Sequence, residues 1–193
     1  MEYGSSQFGY LTGKVLIASP VIGDPRFDRS IVYVCSHDSE QAMGLIMNSP
    51  IEGILLRDVL CQLDIPRAEN HAPQSPVLDG GPVGRDRGFV LHSRDVSFGP
   101  ASMIVSPDHA VTATREILEC LTSEDCPSAY AFTLGYSGWE AGQLEDEINA
   151  NAWLVCDADD ELLFGENHSD KWTRALSQLG VTPEFLSGAS GHA

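Results

Sequence analysis

Positive charge is scarce in this chain. Lys14 and Lys171 are its two lysines, and nine arginines raise the bases to 11 against 28 acids, a net charge of −17 over 193 residues. The deficit is uneven. Residues 1–94 hold 11 acids and 8 bases, net −3, whereas residues 95–193 hold 17 acids and 3 bases, net −14. Grip on duplex nucleic acid depends on neutralising phosphates with a basic face. Duplex nucleic acid is therefore not an expected partner, and any cationic patch must lie in the first half. No apolar run reaches the 18 residues of a membrane span, so no membrane association is expected. The opening residues Met1-Glu2-Tyr3-Gly4-Ser5-Ser6-Gln7 lack the basic and apolar regions of an export signal. The five cysteines, Cys35, Cys61, Cys120, Cys126 and Cys156, are odd in number and have no C-x-x-C spacing. They are expected as reduced thiols in a cytoplasmic protein. There is no P-loop and no G-x-G-x-x-G, and the six histidines show neither H-x-x-x-H nor H-E-x-x-H spacing. No metal or cofactor is expected.

What is present suffices for one core. Hydrophobic residues make up 42% of the chain, and its length fits one domain over 1–182 with a C-terminal tail over 183–193, frayed from 187. Lys14–Ser19, Ser30–Ser36 and Ala42–Met47 read as strands, the second rich in β-branched residues. Gly23-Asp24-Pro25-Arg26 marks a turn. Leu55–Leu63 reads as a short helix with Leu56, Val59, Leu60 and Leu63 on one face, and 66–75 as a surface loop. Val77–Leu78, Gly88–His92 and Ser102–Val105 are short strands. Ser106-Pro107-Asp108 has the signature of a helix start, with Ala110, Val111, Thr114, Ile117, Leu118 and Leu121 following on one face. Ala129–Leu134 and Ala152–Cys156 are strands and Gln143–Asn149 a helix. Asp170 caps a last helix with Trp172, Ala175, Leu176 and Leu179 inward, stopped at Gly180. The early strands succeed one another without intervening helices. The expected fold is therefore α+β, a mixed, mainly antiparallel sheet packed with several helices.

Several segments carry a resemblance. They are Gly13-Lys14-Val15-Leu16-Ile17-Ala18-Ser19-Pro20, Asp24-Pro25-Arg26-Phe27 with Ser30-Ile31-Val32-Tyr33, Gly44-Leu45-Ile46-Met47-Asn48-Ser49-Pro50, and Gly80-Gly81-Pro82-Val83. Arg87-Gly88-Phe89-Val90-Leu91-His92 and Leu134-Gly135-Tyr136-Ser137-Gly138-Trp139 with Gly142-Gln143-Leu144-Glu145 complete the set. In this order they resemble the AlgH/YqgE family of uncharacterised bacterial proteins, over about residues 10–180. The resemblance implies a single α+β unit. Some members are labelled transcriptional regulators, but this chain shows no helix-turn-helix pattern and no basic recognition helix.

The residues offer two candidate chemistries. Gly135-Tyr136-Ser137-Gly138-Trp139, between an expected strand and helix, is placed like a nucleophile elbow, and Asp157 or Asp160 and His168 follow in hydrolase order. The second glycine, however, falls directly after the serine, and Trp139 would crowd the sharp turn. A glycine turn anchored by a packed tryptophan is the simpler reading. Anion binding at this loop is opposed by Glu140, Glu145, Asp146 and Glu147. The run Asp157-Ala158-Asp159-Asp160-Glu161 lacks the glycine and glutamate of an EF-hand.

The second candidate is a clamp. Gly80-Gly81 with Arg85, Arg87 and Arg94, and Asp24-Pro25-Arg26 with Arg29, would hold a carboxylate or phosphate if the two loops meet. Internal pairing with Asp79, Asp86, Asp95, Asp24 and Asp28 is the plainer alternative. The expectation is that the Asp24–Arg29 loop, Asn48 at its strand end and the Gly80–Arg87 loop converge on one cleft. Asp24, Arg26, Asn48, Gly80, Gly81 and Arg87 are then its binding residues. The expected function is a non-enzymatic module binding a protein or a small anionic ligand. The alternatives are a regulator, by family label, and a hydrolase using Ser137.

Overall fold

A computed structural model describes residues 10–183 and 186 of the chain. The expected tail lies almost wholly outside the described residues. Ten strands and six helices follow in the order β1 (Lys14–Ala18), β2 (Ile31–His37), β3 (Gln41–Ile46), β4 (Pro50–Leu55), α1 (Leu56–Gln62), α2 (Ala68–His71), β5 (Pro76–Asp79), β6 (Val83–Ser93), β7 (Ser102–Ile104), β8 (His109–Thr112), α3 (Arg115–Cys120), β9 (Tyr130–Glu140), α4 (Gln143–Asn149), β10 (Trp153–Asp157), α5 (Asp160–Phe164) and α6 (Lys171–Gln178).

The strands form one mixed sheet in the order β10-β1-β2-β3-β9-β6-β8-β7, with β4 and β5 attached beside β9. All pairings are antiparallel except β5 with β9. The eleven-residue β9 joins the halves. Tyr130–Tyr136 pairs with β6, Thr133–Leu134 with β5, and Ser137–Glu140 with β3. Strands buried on both faces read as continuous apolar runs, and Val15–Ala18 and Ile31–Cys35 are such runs, each residue at most 1% exposed. One face packs Ile17, Tyr33, Leu45 and Leu91 against Trp172 and Leu176 of α6. The other packs Leu16, Val32 and Val34 against Trp139, Leu144 and Trp153. A third cluster seats Leu56 and Leu60 of α1 and Ile117 of α3 on Val90 and Phe132.

The segment after Ser106 corrects the sequence reading. Ser106 Oγ accepts from the amides of Asp108 and His109, at 3.3 and 3.0 Å, as a helix cap would. The chain nevertheless turns there between β7 and β8. His109–Thr112 pairs with β6 on one side and, over Ala110–Thr112, with β7 on the other, buried throughout. The helix is shorter and starts at Arg115 after Thr114. A cap satisfies local amides equally well in a turn, and the ladder partners of Val111 and Thr112 decide the outcome. The 66–75 loop contains the one-turn α2. Asp159, inside the acid run, accepts from the Leu162 amide at 2.7 Å and caps α5. Asp170 precedes α6 without a side-chain cap bond. Leu63 and Leu179, expected inward, are 45% and 39% exposed.

Lys171 is the unusual core residue. It is 2% exposed, and its amine donates to the carbonyls of Met47 (3.0 Å) and Leu163 (3.3 Å). The contacts tie α6 to the end of β3 and to α5. No carboxylate pairs with it among the described residues. Burial without a counter-ion disfavours the charged form, and the amine is pushed down from 10.5 to about 8. Between those values the unfolded chain holds a proton that the folded chain has released, so stability rises with pH across this window and the gain is lost as pH falls through about 8. Urea unfolding of wild type and Lys171→Met at pH 8 and pH 10 is expected to show wild type gaining roughly 1–3 kcal/mol on the variant over that interval. Parallel pH curves for the two proteins would contradict this account.

Candidate functional site

The structure settles the geometry of Gly135–Trp139 first. These residues lie within β9, not in a loop before a helix. Gly135 has a left-handed φ of +74°. Ser137 is 1% exposed, and its hydroxyl donates to the Gly80 carbonyl at 3.4 Å, its one side-chain hydrogen bond. Among the described residues no histidine hydrogen-bonds to it as a base, and a nucleophile needs a base within hydrogen-bond reach. The residues of the elbow motif therefore serve the strand. Gly80 and Gly81 press on the same stretch. A Cβ at Gly80 would collide with the Gly135 carbonyl, and one at Gly81, whose φ is +145°, with the Tyr136 backbone. These glycines permit the approach of the β5–β6 connection to β9 rather than the approach of a ligand.

The arginine–aspartate pairs form as internal pairs. Asp24 accepts from Arg26 Nε at 3.0 Å and Nη2 at 2.6 Å and from its amide at 3.0 Å. The bonds close a 3₁₀ turn over Pro25–Phe27. They also hold the Asp24 carboxyl below its ordinary range, the Arg26 side chain first among the causes. Arg85 pairs with Asp79 at 2.6 Å. Asn48 accepts from the Ile31 amide at 2.9 Å and donates to the Arg29 carbonyl at 2.9 Å, so both ends of its amide fasten the β2 start to the β3 end. Arg87 is exposed in the bulge between Val83 and Gly88.

Two of the three expected segments still meet. A cleft of about 400 Å³ opens between the Asp24–Phe27 turn and Pro82–Val83, with Trp139, Glu147 and Trp153 among its lining. Asn48, Gly80, Gly81 and Arg87 do not line it. Its wall contains an arrangement the sequence reading missed. Glu147, on α4, accepts from both indoles through Oε2, Trp139 Nε1 at 2.8 Å and Trp153 Nε1 at 2.7 Å. Its Oε1 accepts from Gln143 Nε2 at 2.8 Å. Every donor is neutral, and no Lys, Arg or His pairs with Glu147 among the described residues. The last turn of α4 has no basic residue, so the carboxylate sits unneutralised at the negative end of a helix. Phe27 meets Trp153 edge-on at 5.4 Å, and Trp153 meets Trp139 at 6.0 Å. The sequence signal was present in Trp139, Glu147 and Trp153, whose intervals of eight and six residues bracket a short helix. Only the fold shows that both indoles reach one oxygen.

Two other hollows present less. One of about 430 Å³ between α1 and α3 has Arg85 and Arg115 at its rim. Arg115 is already engaged by Glu119 and by the carbonyls of Leu63 and Asp64. The other, of about 660 Å³, has Tyr130, Glu166 and His168 as its ionisable residues, and burial holds the His168 imidazole below its ordinary range. Tyr33, His109 and Asp160 form a chain, with 3.2 Å from the phenol to Nδ1 and 3.1 Å from Nε2 to the carboxylate. Tyr33 is wholly buried and, chiefly by that burial, pushed up to about 12. It is a hydrogen-bonding group of the core. Among the described residues no group of three His, Cys, Asp or Glu is placed to hold a metal ion. No described helix is long and apolar enough to cross a membrane.

With this architecture in hand, the relatives can be placed. Residues 15–184 match the model of the AlgH-like family DUF179, and the chain belongs to that family. It is 47% identical over 185 residues to a UPF0301 protein of Caulobacter vibrioides, covering 95% of this chain and 94% of the relative. It is 48% identical over 183 residues to one of Ruegeria pomeroyi, covering 95% and 99%. The solution structure of AlgH from Pseudomonas aeruginosa superposes with a TM-score of 0.76 at 35% identity over the whole of both chains. A Corynebacterium diphtheriae protein shares the fold at a TM-score of 0.72 and 18% identity, covering 97% of this chain and 94% of that one. The family is uncharacterised, and these names state no activity.

The glycine and arginine assignments are separable by stability. Gly81→Ala places a Cβ into the Tyr136 backbone at a left-handed φ and is expected to cost about 3 kcal/mol or more. Arg87→Ala removes an exposed side chain without a partner among the described residues and is expected to change stability by no more than about 0.5 kcal/mol. Chemical denaturation measures both. A large loss at Arg87 with tolerance at Gly81 would reverse the two roles.

Proposed function

We propose that this protein is a non-enzymatic binding module of the cytoplasm whose ligand site is the cleft beneath the Asp24–Phe27 turn. The observation that carries the reading is Glu147, an unneutralised carboxylate held by two indoles in the wall of a cleft of small-molecule size. Ligand sites set a few fixed polar groups among apolar side chains, and here Asp24, Arg26, Gln143 and Glu147 stand beside Ile22, Phe27 and Val83. A rigid scaffold under loops is the usual place for binding groups. Here the scaffold is β9 with β10, and the loops are the 3₁₀ turn and the β5–β6 connection. The buried, baseless Ser137 speaks against the hydrolase alternative. The charge of −14 on residues 95–193 opposes encounter with duplex DNA, and so speaks against a regulator that binds DNA directly. Five free cysteines suit a reducing compartment.

The chain has three tryptophans, and Trp172 donates to the Ala18 carbonyl away from the cleft. Indole N–H resonances assigned by single Trp→Phe variants therefore report the site directly. A set of small organic compounds is expected to yield binders that shift the Trp139 and Trp153 indole signals and leave Trp172 in place. Binders that act only on Trp172, or only on amides of Val59–Leu63 and Thr112–Arg115, would sink the assignment.

A further inference from the structure

The cleft fits a cation, contrary to the anion expected from the sequence. The arginines that were to select an anion do not form a pair: Arg87 is absent from the lining, and Arg26 is neutralised by Asp24. The charged residues that line the cleft are Asp24, Arg26 and Glu147, a net charge of −1. Glu147 accepts three hydrogen bonds, all from uncharged donors, and a carboxylate offers about four lone-pair positions. One position and the whole charge thus remain unmatched. The aromatic rings of Phe27, Trp139 and Trp153 meet at angles of 76–77°. Trp139 and Trp153, 5% and 2% exposed, fix the carboxylate, whereas the half-buried Phe27 leaves aromatic surface in the cleft that attracts a cation, more strongly when water is displaced. Val83, 40% exposed at the mouth, extends the apolar wall for an alkyl body.

Resting on the cleft as the ligand site, we infer that its ligand class is an organic cation, an ammonium or guanidinium head on an apolar body, received by the Glu147 carboxylate, which the two indoles hold in place, and by the Phe27 ring. The head group donates to the free position of Glu147, and the body lies against Ile22 and Val83. Asp24 is a second, latent carboxylate, masked by Arg26. This makes a prediction of opposite sign to anion binding: removing Arg26 unmasks negative charge and strengthens the ligand's hold. The Arg26–Asp24 pair is surface-exposed, with the guanidinium side chain 60% accessible, so its loss leaves the fold intact.

The test compares n-butylammonium, 1-butanol and butyrate on the full chain, read by the Trp139 and Trp153 indole shifts at low salt and at about 0.15 M. Butylammonium is expected to bind most tightly and to weaken with salt, and butyrate least. Arg26→Ala is expected to tighten butylammonium by about threefold or more. Glu147→Gln, which keeps an oxygen for the indoles, is expected to reduce the preference over butanol to near unity. Should that variant not fold, the wild-type series and Arg26→Ala decide alone. Butyrate binding as well as butylammonium, or Arg26→Ala weakening the cation, overturns the inference. If butanol then still shifts the two indoles, the cleft stands as the site and only the ligand class is wrong. If none of the three probes moves them, both readings fall.

Discussion

The close passage of Gly80 and Gly81 across β9 is the constraint on which the rest of this structure depends. β9 is the one strand that touches both halves of the sheet, through β3 on one side and β6 on the other, with the parallel β5 beside it. To reach β6, the chain leaving β5 must cross the β9 backbone at Gly135–Ser137. There a Cβ on either glycine would occupy space already filled by backbone. Backbone cannot yield as a flexible side chain can, so the crossing is possible only without side chains. The Gly80 amide then donates to the Leu134 carbonyl at 2.8 Å, and its carbonyl accepts from the Ile46 amide at 3.0 Å. One residue thereby bonds two strands. The Ser137 hydroxyl, turned onto the same carbonyl, completes the knot.

Beyond the crossing, β9 continues where β6 has ended, and this extension carries the site. Trp139 rides on it, α4 follows within a few residues, and β10 returns Trp153 to the same face of the sheet. Glu147 closes the triangle. Its position is costly by ordinary accounting, because an anion near a helix C-terminus gains nothing from the helix dipole and its partners supply no opposite charge. The structural benefit is real, since both buried indole N–H groups are satisfied, and an unpaired buried donor would be expensive. A glutamine or a backbone carbonyl could satisfy indoles without the charge. The surplus charge is what distinguishes a binding wall from a plain packing contact. Lys171 is the opposite case: a buried amine whose two bonds run to carbonyls, far in sequence from any ligand-lining segment, acting as a staple.

Much of this fold could be read from the residues, and the failures share a cause. β1, β2 and β3 were legible as the apolar runs Lys14–Ser19, Ser30–Ser36 and Ala42–Met47, the second rich in β-branched residues. α6 was legible from its inward apolar residues and from Gly180. The 106–121 segment was misread because Ser106 makes the bonds of a helix cap in a hairpin turn, and local chemistry cannot distinguish the two. Gly135–Trp139 was misread for the same reason: a glycine-rich stretch looks like a loop unless the strand it must accommodate is known. At the site, the convergence of Asp24–Phe27 with Pro82–Val83 followed from strand ends, whereas the roles of Asn48, Gly80 and Gly81 did not. Each of these bonds or packs on a backbone more than fifteen residues away. Lys171 carried a legible signal, four residues before the buried Ala175 and thus on the inward face of its helix.

The most direct measurement is a crystal structure of the full chain grown with an n-alkylammonium salt. The account predicts density for the ammonium head within hydrogen-bond distance of a Glu147 carboxylate oxygen, the alkyl body against Val83, and both indole–Glu147 bonds retained. An empty cleft with the alkylammonium seated between α1 and α3, or Glu147 turned away from Trp139 and Trp153 onto a protein cation, would contradict it.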